Sequence, residues 1–148
     1  MQNLAFNKKA GFNYEILEKF EAGVELYGFE VKAIRNGRST LDGAYAIVRG
    51  GEVFLVGATI PPYQPNNTPK DYEPARGRRL LLTRKEIERL AEQGDKKGLT
   101  IIPLSIYNKG RKIKVSLGVG VGKKKHDKRE LIKKRESERE IMRTLKRE

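Results

Sequence analysis

The chain has 148 residues, with 32 Lys or Arg against 19 Asp or Glu, a formal net charge of +13, one His and no Cys. That length suits one domain able to bury most of its apolar surface in a single core. The absent cysteines exclude disulfides, thiolate metal sites and thiol nucleophiles, and a lone histidine excludes paired-His ligation, so neither cofactor nor metal is expected.

A field of this sign attracts polyanions, which makes nucleic acid the leading partner class. An anionic membrane is the rival, but no apolar run reaches spanning length and no basic amphipathic helix carries an aromatic face. The opening MQNLAFNKKAGF lacks the apolar region of a signal peptide, so a cytoplasmic location is expected.

In chain order, residues 7–21 begin basic and then set Phe12, Tyr14 and Ile16 on one face of a first strand. Lys8 and Lys9 read either as a solvated terminus or as the edge of an RNA-binding face. The link from Phe20 to Gly23 places Glu21 beside a turn glycine, where a carboxylate is usually a surface charge. Residues 22–58 form the densest apolar stretch and the expected core of a small barrel. Period-two alternation breaks phase near Gly28. The break reads as a glycine bulge in a continuous strand, or as a short helix with Val31 and Ile34 on one face and Lys32 and Arg35 on the other. Two apolar runs from Tyr45 to Val56 flank Gly50 and Gly51, a two-residue hairpin signal. With Ala46, Val48, Phe54 and Val56 assigned to one face and Tyr45, Ile47, Val53 and Leu55 to the other, the hairpin is expected to be central and covered.

Residues 59–78 hold five of the six prolines and no periodicity, the mark of a long loop. Tyr63 and Tyr72 there either stack on bases or pin the loop to the barrel, with pinning the favoured role. Thr83 and Glu86 form a capping box, predicting a helix whose face Ile87, Leu90 and Ala91 packs on the core and which stops at Gly94 or Gly98. Leu99 to Tyr107 and Lys112 to Leu117 read as a strand pair, with Ile113, Val115 and Leu117 buried opposite Lys112, Lys114 and Ser116. Strands interrupted by one helix predict a mainly β fold with short helices, an OB-like closed antiparallel β-barrel.

At residues 118–122 the character changes. Residues 123–148 carry twelve Lys or Arg against six Asp or Glu, and no apolar residue stands between Ile132 and Ile141. The reading is a two-part chain: a barrel over 1–122 and a basic tail over 123–148, disordered when free. Asp127 with Glu130 makes a capping pattern, and Glu136 with Arg139 and Glu140 with Arg143 are opposite charges at helical spacing, so the tail is expected to fold to a helix on a polyanion. His126 has no catalytic or metal partner in sequence, and its ring among lysines suits stacking on an exposed base.

The ordered motifs NKKAxxxYEI, FEAGxxLxGxEVKxIRxGR, YAxV, RxLLLxxxEI and GKKxHDKR, from residue 7 to about 130, resemble the small protein B (SmpB) family, the tmRNA-binding proteins of bacterial trans-translation. The resemblance implies that the barrel grips the tRNA-like domain of tmRNA and that the tail enters the empty mRNA channel of a stalled ribosome and folds to a helix there. It also implies the short-helix reading of Gly28 to Arg35. Asn7, Glu21, Arg35 and Tyr45 match positions implicated in RNA contact. Gly122, Lys123, Lys124, His126, Asp127, Lys128 and Arg129 match the entry motif of the tail, with His126 near the decoding centre, and Ile141 with Met142 matches its distal apolar pair. Phe12 departs from a histidine found in some members. The expected partners are tmRNA and the small-subunit rRNA of the ribosome, with no membrane, and the free chain is expected to be a monomer and not an enzyme.

Three other classes fit parts of the sequence. A general single-strand RNA binder accounts for charge and barrel but not for the ordered motifs. A metal-dependent nuclease would need converging carboxylates, for which Glu21, Glu30 and Asp42 are scattered candidates. A structural ribosomal protein would co-sediment with subunits that are not stalled.

Overall fold

The computed structural model describes residues 2–123, 135, 136 and 139. Its elements run β1 (Gln2–Phe6), α1 (Ala10–Asn13), β2 (Tyr14–Val24), α2 (Gly28–Arg35), β3 (Tyr45–Arg49), β4 (Glu52–Val56), β5 (Arg78–Leu81), α3 (Arg84–Gly94), β6 (Leu99–Lys109) and β7 (Lys112–Gly122). The strands form one antiparallel sheet in the order β1-β6-β3-β4-β5-β2-β7, and β6 also pairs with β7. The pairings therefore close into a ring, which is the closure expected of an OB-like sheet. The ring is strong along β6–β7 and β2–β7 and weakest between β3 and β6, joined by the single pair Ala46 and Ile101. Helix α3 packs against β3, β6 and β7 at that weak seam.

The core fills the ring. Ala22, Val53, Leu90, Val115 and Leu117 are completely inaccessible, and Ile34, Leu41, Leu55, Ile60, Leu80 and Val119 nearly so. Burial of Ile113, Val115 and Leu117 against the partly open Lys114 and Ser116 follows the alternation in the sequence. Helix α3 starts as its capping box requires: Thr83 accepts from the Glu86 backbone N–H, and Glu86 accepts from that of Thr83 at 3.0 Å. The phase break at Gly28 is the short helix α2, and no bulge is needed there.

Four expectations are corrected. The first strand of the sheet is β1, and Phe12 lies in α1, so the strand reading begins only at Tyr14. Phe20 to Gly23 is no turn: β2 runs unbroken through it to Val24, and Glu21 sits opposite Ser116 within the sheet. The last strand does not stop at Leu117, because β7 continues to Gly122, pairing with Tyr14 to Glu18 and with Leu99 to Ile102. The β3–β4 hairpin is real, with Gly50 and Gly51 at φ +60° and +76° as its turn requires. Its faces are exchanged, however. A two-residue turn pairs even positions with odd ones, so Ala46 and Val48 share the inner face with Leu55 and Val53, while Tyr45, Ile47, Phe54 and Val56 face outward. That outer face is open rather than covered, with Tyr45 43% and Ile47 36% exposed.

The proline-rich loop is held by a buried ionic cluster. The fully inaccessible Glu30 carboxylate accepts from Tyr72 Oη at 2.9 Å, from Arg78 Nη2 at 2.7 Å and from Arg76. Arg78, equally buried, also donates to the carbonyls of Ala58, Pro74 and Arg76 at 2.9 Å each. Tyr72 thus pins the loop, its single hydroxyl proton shared between Glu30 Oε2 and Ile60 O, the latter at 2.7 Å. Its phenol is pushed up to about 12 by burial and by the Glu30 carboxylate beside it.

Candidate RNA-binding surface

The turn joining β6 to β7 projects Lys109, Arg111 and Lys112 from one end of the ring, and the C-terminal end of α2 lies against it. Arg35 Nη2 donates to the Arg111 carbonyl at 2.8 Å, which fixes the two elements to each other. Between them lies a groove of about 320 Å³ lined by Gly23, Val24, Leu26, Val31, Arg35, Leu81, Arg111, Lys112, Ile113 and Lys114. Four cations surround an apolar floor to which Leu81, 44% exposed, contributes. Phosphates would find charge at the rim and bases or riboses would find apolar contact on the floor.

Glu21 stands on the outer face of β2 beside this groove. Its Oε2 accepts from Tyr107 Oη at 2.6 Å and its Oε1 from Lys109 Nζ at 2.9 Å. Those two donors, Lys109 before Tyr107, hold its carboxyl below the usual carboxylate range, and the Lys114 charge adds to the effect. The Tyr107 phenol shifts upward, through burial and then through its bond to Glu21, and stays a donor.

The other expected site residues lie apart. Asn7, 6% exposed, donates from Nδ2 to Pro103 O at 2.9 Å, and its backbone N–H bonds Leu104 O at 2.9 Å, so it fastens the end of β1 to the middle of β6. Tyr45 is exposed at the opposite end of β6, beside Ile101. Eight residues of strand, roughly 25 Å, separate Ile101 from Lys109. A second groove of about 410 Å³ lies there, lined by Tyr45, Ile47, Ala91, Asp95, Leu99 and Thr100 among others. Gly122 closes β7, and Lys123 is seated on α1 through its backbone N–H to Asn13 O and its Nζ to Gly11 O, both 2.8 Å. Lys124, His126, Asp127, Lys128, Arg129, Ile141 and Met142 lie outside the described residues, as does the helix expected of the tail as a whole. Arg135, which has helical backbone, sets its guanidinium 6.0 Å from the centre of the Phe12 ring.

The resemblance named Arg35 and Glu21 but not Tyr107, Lys109 or Arg111, which the structure brings to them. Lys112 and Lys114 were legible as a lysine-bearing face. Tyr107 was hidden inside an apolar alternation, and only the three-strand register β2–β7–β6 brings its hydroxyl to Glu21.

Residues 4–147 match the family model described as SmpB protein. An SsrA-binding protein of Gloeothece citriformis is 50% identical over 141 residues, 95% of this chain and 91% of that one. An SsrA-binding protein of Mesoplasma florum is 50% identical over 143 residues, 97% and 96% of the two chains. A chain solved in work on "tmRNA-SmpB: a journey to the center of the bacterial ribosome" has a TM-score of 0.68 and 41% identity, covering 81% of this chain and 84% of its own. With a family model spanning nearly its whole length and relatives identical at half of their positions, this chain belongs to the SmpB protein family.

Proposed function

We infer that this chain is an RNA-binding protein that binds tmRNA and acts with it on the bacterial ribosome in trans-translation, the rescue of stalled ribosomes. The observation that carries the reading is the groove where Arg35, Arg111, Lys112 and Lys114 meet over an apolar floor, in a chain of net charge +13. Splayed loop bases of a tRNA-like fold are accessible to such a groove, whereas the deep major groove of an RNA duplex is not. Phosphate contacts supply affinity, and the floor and Glu21 supply selectivity. In this reading Asn7 acts indirectly by fixing β1 on β6, and Tyr45 belongs to a separate contact at the far end of that strand.

The chain is read as two modules. The ring, with Lys123 seated on α1, grips the tRNA-like domain. The segment that follows, with Lys124, His126, Asp127, Lys128, Arg129, Ile141 and Met142, enters the empty mRNA channel near the decoding centre and folds to a helix there, its ordering entropy offset by the RNA around it. Action on the ribosome places the protein in the cytoplasm. The nuclease alternative has little to work with, since Glu30 is enclosed by Arg76 and Arg78 and Glu21 is bonded to Tyr107 and Lys109. We read the chain as a binding protein without catalytic activity, and incubation with RNA and magnesium is expected to leave the RNA intact.

The test is binding to the tRNA-like domain of tmRNA beside an ordinary tRNA and an unstructured RNA of equal length, over a salt series. A preference for the first that persists near physiological salt supports shape recognition. Equal binding to all three that collapses together as salt rises would reduce the protein to a general RNA binder.

A further inference from the structure

At the other end of α2 from Arg35 lies a cleft of about 420 Å³, between the first turn of that helix and the proline-rich loop. Three rings wall it. Tyr27 stacks on Phe29 with centroids 5.5 Å apart, and Phe29 meets Tyr72 edge to face at 4.8 Å. Tyr27 is 53% exposed, so this aromatic surface is open to solvent. The loop beside it is held in one position, because Tyr72 is bonded to the buried Glu30 and Arg78 donates to Pro74 O at 2.9 Å.

The cleft is charged differently from the basic groove. Its cation among the described residues, Arg76, is committed twice: the guanidinium bonds Glu30 and lies 4.3 Å from the centre of the Tyr27 ring. The N-terminus of α2 is answered as well, since Glu30 accepts from the Tyr27 backbone N–H at 2.8 Å. Asp71 and Glu73, which flank Tyr72 in the lining, are exposed and in no ion pair among the described residues. Glu73 accepts the Ala75 backbone N–H at 3.1 Å, and Asp71 has no side-chain partner there at all. A phosphate entering the cleft would pass two carboxylates and find no uncommitted cation. A cationic side chain would find both carboxylates beside an aromatic surface that partly desolvates it, which strengthens the attraction.

We propose that this cleft docks an arginine side chain of a basic protein segment, supplied by a protein of the ribosome, while the basic groove at the other end of α2 holds RNA. The proposal rests on the ribosomal reading above and adds a second class of partner to it. Arginine suits the cleft better than lysine, because its planar guanidinium can lie against a ring while its fork of N–H donors reaches a carboxylate. The Glu30 cluster fixes the loop beforehand, so Asp71 and Glu73 are presented with little ordering left to lose on binding.

The sign of a charge change separates a basic protein from RNA in this cleft. The full-length chain is measured twice, for binding to the tRNA-like domain of tmRNA alone and, in complex with tmRNA, for binding to purified stalled ribosomes. Asp71→Asn combined with Glu73→Gln removes two negative charges and leaves the Glu30 cluster intact, and glutamine keeps an acceptor for the Ala75 N–H. This variant is expected to bind ribosomes roughly fivefold more weakly and the tRNA-like domain as the wild type does. Tyr27→Phe should preserve ribosome binding and Tyr27→Ala reduce it, since the ring face and not the hydroxyl makes the contact. A photoreactive phenylalanine derivative replacing the exposed Lys70, beside the cleft, should crosslink in the stalled complex to an arginine-bearing peptide of a ribosomal protein. If the double variant binds ribosomes more tightly, or the crosslink falls on RNA, the cleft meets nucleic acid and the proposal fails. Unchanged ribosome binding by the double variant would overturn it equally. A wild-type chain that binds neither the tRNA-like domain nor stalled ribosomes would instead overturn the functional reading on which the proposal rests.

Discussion

Glu30 and Arg78 are both inaccessible to solvent, and each satisfies the other while tying α2 to β5 and the proline-rich loop. Removing one member leaves a buried charge without its partner, so Glu30→Ala or Arg78→Met should cost about 3–5 kcal/mol of stability, read from urea unfolding. Burial by itself would raise the Glu30 carboxyl, but hydrogen bonds from Arg76, the Tyr27 backbone and Arg78 outweigh it and hold the group below its ordinary value of 4.5. A folded-state value below the unfolded one means that this stabilisation is complete above about pH 4.5 and drains away as pH falls through the depressed value. Unfolding midpoints should therefore drop in acid, and Glu30→Gln should show a shallower drop from a lower starting point. At the RNA surface, Arg35→Ala should weaken binding to all RNAs alike and reduce the salt slope by about 1, the signature of a phosphate contact.

At the scale of elements, the closest packing lies where β7 passes between β2 and β6. A Cβ on Gly120 would stand 3.0 Å from Tyr14 Cβ and 3.3 Å from Ile102 Cδ1. Tyr14 Cβ is bound to a paired backbone and has little room to yield, so Gly120→Ala should destabilise by about 1–3 kcal/mol, checked by thermal unfolding. The GVGVG run, where the character of the sequence changes, is the end of β7, and its glycines are what allow three strands to approach there. Helix α3 is the opposite case: its start, its buried face at Leu90 and its end were all legible, because capping and helical periodicity are local. The β3–β4 hairpin lies between the two, since its turn was legible and its faces were exchanged. Pattern reading follows parity along each strand, but parity across a turn is set by the register of pairing.

For the whole molecule, charge and groove predict a separation of activities. A chain ending at Lys123 keeps every element of the ring and both bonds to α1, so it should still bind tmRNA while failing to support tagging on stalled ribosomes. Gel-shift binding and a tagging assay on the same variant check this, and an equal loss of both would remove the two-module reading. No helix among the described residues is long and apolar enough to cross a membrane.

By itself the sequence determined the fold class, a net charge that favours polyanions, the α3 helix, the turn at Gly50–Gly51 and the family. Each of these rests on composition, on spacing within about a dozen residues, or on ordered motifs that survive without coordinates. The tertiary structure decided which of those residues meet. It set Glu21 within a continuous strand, placed Tyr107 and Lys109 upon it, brought Arg35 to Arg111 and sent Tyr45 to the far end of β6. It also enclosed Glu30 between two arginines more than forty positions away. The physical reason is register: which side chains share a face across three strands depends on where each strand pairs, and closure of the ring fixes that only when all of them are in place.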